Sequence, residues 1–136
     1  MNKYKILIDS NVFFIPFYEN FDVIEELKQF LEKNNILYEN FYTLRKNIIE
    51  IENKIKTSKS EKWRKIYNLV LNYIKSKNIL VIDTGKNNER TDRLIVNVAL
   101  SDKYIVFTQD KQLRKVLKSL KIPVIFYSNK RLHILW

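Results

Sequence analysis

The chain has no cysteine, a single glycine, two prolines and one histidine, His133. Without cysteine there is no disulfide, no thiolate zinc site and no thiol nucleophile. One histidine close to the end of the sequence argues against a multi-histidine metal centre and against a Ser-His-Asp triad. Any metal would therefore be held by oxygen, which points to magnesium or manganese. Long apolar runs are missing too: none approaches the roughly 18 residues needed to cross a bilayer. The opening "MNKYKILIDS" has too short an apolar stretch for a secretory signal, and no small-residue cleavage site follows. A cytoplasmic protein with no membrane partner is the expectation. Scarce glycine and proline imply short loops, and no repeat, linker or low-complexity segment breaks the 136 residues, so one domain over 1–136 is expected.

Negative charge is also in short supply. Fifteen Asp and Glu face 25 Lys and Arg, a formal net charge of +10. So basic a surface attracts polyanions, of which nucleic acid is the commonest in the cytosol. The plainer account is that surplus lysine keeps the surface soluble. What is present in quantity is apolar: 46% hydrophobic residues, enough for a core and too many for a disordered chain.

The period of the apolar residues changes along the chain. "KILID" reads as a buried strand. "DVIEELKQFLEKNN" sets Ile24, Leu27 and Leu31 at helical spacing, with Asp22 as N-cap and Glu25 completing a capping box. "ILYENFY" is a second strand. "TLRKNIIEIENKIK" puts Leu44, Ile48, Ile51 and Ile55 on one helical face. After the polar "TSKSEK", Ser60 caps a helix with Trp63, Ile66, Tyr67, Val70, Leu71 and Ile74 in one stripe, which assigns Trp63 to the core. "ILVID" is a strand, "RTDRLIVNVALSD" a helix capped by Thr91, "KYIVFTQD" a strand, "DKQLRKVLKSLK" a helix and "IPVIFYS" the last strand. Strands alternating with helices, with continuously apolar strand runs, predict an α/β fold: a parallel sheet covered by helices on both faces.

In such sheets sites form at the carboxyl ends of strands. "ILIDSN" ends on Asp9 and "IVFTQD" on Asp110, each just past the last apolar residue. If these two strands are neighbours, both acids face one crevice. Asp92 starts the helix that leads into the later strand, at the same end. Each has a bland alternative: Asp9 as a turn residue, Asp92 as a first-turn helix acid, Asp110 as a cap. Gathered near one point, the three would repel and their pKa values would rise. A hard divalent cation resolves that conflict, and it can activate water and neutralise a phosphodiester.

"ILIDSN", "TDRLIVNVA" and "IVFTQDKQLRKVLKSLKIPVIFY" resemble the three core motifs of PIN-domain ribonucleases, and the resemblance covers nearly the whole chain. "IPFYENFDVIEELKQFL" and "IPVIFYSNKRLHI" look most like the archaeal and eukaryotic branch that includes the small-subunit-processome PIN nuclease. The resemblance implies a single PIN-like domain in which four acids bind Mg²⁺ or Mn²⁺. Asp9, Asp92 and Asp110 match three of them. The fourth is a Glu followed by an aliphatic residue, and in "NIIEIENK" Glu50 is the match, with Glu52 the competitor. At about 100° per residue Glu52 lies nearer the apolar stripe, so helical periodicity and motif disagree; the motif is followed. Asn11 and Thr108 match polar positions beside the first and last acids, where they would orient carboxylates. Arg93, Lys111 and Arg114, close in sequence to the acids, are candidates for RNA phosphates; an ordinary solvated helix face is the alternative. The activity implied is metal-dependent endoribonucleolytic hydrolysis, in rRNA processing or RNA turnover. Two rivals stand beside it: a catalytically silent RNA-binding ribosome-assembly factor, and a toxin ribonuclease held by an antitoxin. Candidate partners are thus RNA, a ribosomal precursor, an antitoxin and, through the aromatic-rich "VFFIPFYENF", a second copy of the chain. Asp83 and Asp102 also follow apolar segments but match no family acid, and read as turn residues; His133 has no expected role.

Overall fold

The computed structural model describes residues 3–136. Strand β1 (Tyr4–Ile8) leads through a 3-10 turn (Ser10–Phe14) and the short helix α1 (Ile15–Tyr18) into α2 (Val23–Lys33). Next come β2 (Tyr38–Leu44), α3 (Arg45–Thr57), α4 (Glu61–Ser76), β3 (Leu80–Ile82), α5 (Thr91–Ser101), β4 (Tyr104–Phe107) and α6 (Lys111–Ser119). A hairpin of β5 (Val124–Ser128) and β6 (Arg131–Leu135) ends the chain. The strands form one sheet in the order β3-β2-β1-β4-β5-β6, parallel throughout except for the antiparallel β5–β6 pair.

Successive strand residues serve opposite faces, and both faces are covered. Ile6 and Ile8 of β1, Ile105 and Phe107 of β4 and Ile125 of β5 join one cluster, packed with Leu27 and Leu31 of α2, Ile51 of α3 and Val70 of α4. Leu7, Val106 and Val124 join the other, against Leu94 and Ile95 of α5 and Leu113 and Leu117 of α6. This two-sided burial explains why β1 and β4 read as unbroken apolar runs. Each fully buried aliphatic or aromatic side chain contributes about 1.5–3 kcal/mol relative to exposure.

Four features differ from the sequence reading. "RLHIL" forms β6, an antiparallel edge strand beyond the expected last one. Its two-residue turn, Asn129–Lys130, has φ of 53° and 61°, the backbone of the hairpin turns that normally carry Asn-Gly; lysine in place of glycine conceals it. Strand β3 is a sheet edge, with Leu80 and Val81 about half exposed. Trp63 is not a core residue, being 37% exposed while Val70 and Ile74 further along α4 are buried. Asp22 sits at the N-cap of α2 without capping it: its carboxylate accepts from the Tyr73 hydroxyl and from Lys77 Nζ at 3.0 Å, and the Tyr73 oxygen accepts the Ile24 N–H at 3.0 Å. The expected capping box is thereby replaced by a clamp between α2 and α4. Ser60 does cap α4, accepting from Trp63 N at 3.3 Å. No helix among the described residues is long and apolar enough to cross a membrane.

Candidate active site

The chain runs from β1 outward to β2 and β3, then crosses back to place β4 on the other side of β1. Connections therefore leave β1 and β4 in opposite directions, which opens a crevice at their carboxyl ends. Asp9 and the Thr108–Asp110 turn sit there, joined by Asp9 N donating to Phe107 O at 2.9 Å. Helices α3, α5 and α6 all begin at this end of the sheet, so their positive N-terminal poles face the same region.

Asp9 is the buried acid, 8% exposed. Its Oδ1 accepts from Ser10 N at 2.9 Å and from Asn47 Nδ2 at 3.0 Å. Its Oδ2 accepts from the Thr108 hydroxyl at 2.8 Å. Thr108 Oγ1 in turn accepts from Asp110 N at 3.1 Å. Its one proton goes to Asp9, so a single hydroxyl links the first acid to the backbone of the last. Burial pushes the Asp9 carboxyl above the ordinary carboxylate range; the three hydrogen bonds oppose this, and the charge of Glu50 adds to it.

Glu50, Asp92 and Asp110 line one open depression of about 450 Å³, together with Lys46 and Arg90. Glu50 Oε2 accepts from the Thr91 hydroxyl at 2.9 Å, which ties α3 to the start of α5. Thr91 is thus the first residue of α5 rather than its cap, and Arg90 occupies the cap position with no side-chain cap bond. Asp92 accepts from Arg93 N at 2.9 Å and pairs with Arg90 at 3.0 Å. Asp110 caps α6 by accepting from Leu113 N at 3.1 Å. The helix-end roles of Asp92 and Asp110 and their place in the depression therefore coexist. Glu52 lies apart, its carboxylate 3.9 Å from Arg45 and outside the depression.

The supporting residues divide. Asn11 Oδ1 accepts from Gln109 N at 3.3 Å and so braces the turn that carries Asp110. Arg93 lines a neighbouring groove of about 510 Å³ between α5 and α6, shared with Arg90, Asp92 and Gln112. Lys111 is exposed on the first turn of α6. Arg114 lies over the Phe126 ring at 4.2 Å, and that ring also stacks on His133 at 5.0 Å. His133 and Asp102 are structural: His133 Nε2 donates to Ser128 O at 3.0 Å, and Asp102 pairs with Lys5 at 2.8 Å. Asp83 turns the loop after β3 by accepting from Gly85 N at 2.9 Å.

Two residues of the site escape sequence reading. Asn47, 1% exposed, bridges the N-terminus of α3 to Asp9, its Oδ1 accepting from Leu44 N at 3.2 Å while its amide reaches the carboxylate. Its signal was a polar residue at i+3 from Leu44, inside the stripe of Leu44, Ile48 and Ile51. Gln109 pairs through both amide atoms with the backbone of Tyr127, at 2.9 and 2.6 Å, and so splices the Asp110 turn to β5; that partner is too distant in sequence to announce itself.

The donors around the depression are oxygens, the carboxylates of Glu50, Glu89, Asp92 and Asp110 beside the Thr91 hydroxyl and the Asn88 amide, the chemistry of a hard divalent cation. As placed, Asp92 is engaged by Arg90 and Glu50 by Thr91, and among the described residues no three acids converge on one ion-sized point. The Arg90 guanidinium supplies beside Asp92 the positive charge that a bound ion would bring, and the donor set fits such an ion.

No curated protein is significantly similar to the chain in sequence. The structure of "the PIN domain endonuclease Utp24" superposes with a TM-score of 0.77 at 19% identity, covering 96% of this chain and 90% of that one, a likeness of fold. The family model described as "PIN like domain" matches residues 6–130, which runs from within β1 through the β5–β6 turn and takes in every acid of the depression. The chain belongs to the PIN-like domain family.

Proposed function

We propose that the protein is a metal-dependent endoribonuclease, with Asp9, Glu50, Asp92 and Asp110 as its metal-binding and catalytic acids. The observation that carries this reading is the placement of Glu50, Asp92 and Asp110 around one depression, also lined by Glu89, at the switch point of the sheet, with Asp9, buried and of raised pKa, hydrogen-bonded through Thr108 to the backbone of Asp110. Mg²⁺ or Mn²⁺ held by these acids supplies charge to neutralise a phosphodiester and lowers the pKa of water.

The chain's own residues do the rest. Thr108, Asn47 and Ser10 N–H fix the rotamer of Asp9 and favour its charged form against burial. Thr91 holds Glu50 toward α5. Arg90, 81% exposed at its side chain, is free to exchange Asp92 for a phosphate oxygen. Lys46 donates to Asn87 O at 2.7 Å and sets a second cation on the rim. The +10 net charge draws the RNA in, and the similarity to a PIN endonuclease supports RNA processing as the setting, with rRNA processing or RNA turnover as the task.

The test is cleavage of single-stranded RNA with Mn²⁺ and with EDTA, for the native protein and Asp110→Asn. Cleavage should need the metal, and Asp110→Asn should slow it by about 100-fold, at least what loss of a residue merely supporting a metal ligand costs. Metal-independent cleavage, or full activity in Asp110→Asn, would contradict the reading. Tight RNA binding with no cleavage under any condition would leave an RNA-binding assembly factor as the better description.

A further inference from the structure

Beside the acids, four aromatic rings close a circuit. Phe14 and Tyr18 stack with centroids 6.2 Å apart and planes 18° apart. Tyr18 meets Trp63 at 6.2 Å, Trp63 meets Tyr67 at 5.9 Å, and Tyr67 returns to Phe14 at 5.9 Å. The outer pair is uncovered: Tyr18 is 59% and Trp63 37% exposed. The inner end opens on the site, because Phe14 lines a depression of about 300 Å³ together with Ser10, Glu50 and Lys54. Lys54 Nζ lies 5.9 Å above the Tyr67 ring and makes no ion pair among the described residues. Lys62 and Lys65 are exposed on the same turns of α4 as Trp63.

We infer that the Phe14–Tyr18–Trp63–Tyr67 cluster is a base-stacking site for the strand whose phosphates reach the acids. The inference rests on the RNA reading above. Exposed rings alone fit many occupants. Rings interleaved with unpaired lysines, and joined to a carboxylate depression, fit a chain that carries flat apolar bases on a polyanionic backbone. Bases inside a duplex offer no faces to stack, whereas an unpaired strand splays them onto aromatic side chains. A second copy of this chain would have to cover Lys54, Lys62 and Lys65 with like charge.

The test is binding, in EDTA and therefore without metal-dependent cleavage, of an oligouridylate of about ten nucleotides. An abasic oligonucleotide of equal length, with the same phosphates and no bases, is the comparison. In the Trp136→Phe protein, where Trp63 is the sole indole, oligouridylate should quench fluorescence and the abasic strand should not. Trp63→Ala and Tyr18→Ala should each weaken oligouridylate binding by about tenfold. Both should leave abasic binding unchanged, and Trp63→Phe should restore most of the loss. Equal losses for both oligonucleotides, or none for either, would overturn the inference. So would a dimer in ultracentrifugation that Trp63→Ala dissociates while RNA affinity stays the same. The quench needs no catalysis, so its presence in a protein that cleaves nothing would sink the nuclease reading alone, and its absence in a protein that cleaves would sink the stacking site alone.

Discussion

Asn47→Ala measures how much the buried acid depends on its support. Asn47 Nδ2 donates to the Asp9 carboxylate at 3.0 Å and Oδ1 accepts from Leu44 N at 3.2 Å, with the side chain 1% exposed. Removing it deletes one hydrogen bond to a charged group, worth about 1.5–3 kcal/mol, and one from a neutral backbone N–H, worth about 0.5–1.5 kcal/mol; the Thr43 hydroxyl, 3.3 Å from Oδ1, keeps its shorter bond to Ile8 O at 2.8 Å. Alanine's better helix propensity returns at most about 0.7 kcal/mol. The net cost is about 1.3–3.8 kcal/mol. At about 2.1 cal/mol/K of unfolding entropy per residue, 136 residues lose roughly 5–13 °C of Tm. The loss should also depend on pH. Asp9 already titrates above its ordinary range, with burial the largest cause and the Asn47 hydrogen bond among the opposing ones. Losing that bond raises it further. A raised carboxyl makes the folded state bind its proton more tightly than the unfolded chain does. Its unfavourable contribution is therefore fully present above the folded pKa and fades as pH falls toward the unfolded value. The deficit of Asn47→Ala against the native protein should thus narrow on acidification. Thermal melts at neutral and mildly acidic pH read both effects. A shift below about 3 °C, or a deficit that widens at low pH, would refute the picture of a desolvated carboxylate held by Asn47.

Two further outcomes concern ligands. If the acids hold the ion as proposed, Mn²⁺ at about 100 times its Kd should stabilise the folded state by about 2.7 kcal/mol, or roughly 9 °C of Tm here; Asp92→Asn should cut that rise sharply, and an equal rise in both proteins would remove Asp92 from the metal ligands. Affinity for single-stranded RNA should fall linearly with salt on logarithmic axes as counterions are released, and a flat response in a titration from low to physiological salt would take away the argument from net charge.

Most of the architecture was legible because residues 6–8 of β1 and 105–107 of β4, buried on both faces, form apolar runs that end where the chain reaches the crevice. The same fact made Asp9 and Asp110 visible, as the first acids after unbroken apolar runs. Periodicity was a poorer guide where the decision lay outside the element itself. It put Trp63 in the stripe of α4 without knowing that the packed surface ends before that turn. It favoured Glu52 over Glu50 because Glu52 is nearer the stripe of α3. The two flank the stripe on opposite sides, about 200° apart, and what matters is that Glu50's side meets Thr91 while Glu52's meets Arg45. Asn47 and Gln109 were hidden because their roles are contacts made across the fold, with Asp9 and with the backbone of Tyr127.

The central claim is that these acids cut RNA, and Glu50 against Glu52 is its sharpest comparison, because the two share a helix, a charge and a side-chain length. The measurement is the Mn²⁺-dependent rate of single-stranded RNA cleavage by Glu50→Gln and Glu52→Gln, with Tm recorded for both. Glu50→Gln should lose activity by about 100-fold while its fold persists, and Glu52→Gln should stay within about twofold of the native rate, having lost only a long surface ion pair. Activity retained in Glu50→Gln and lost in Glu52→Gln would contradict the assignment of the depression as the active site.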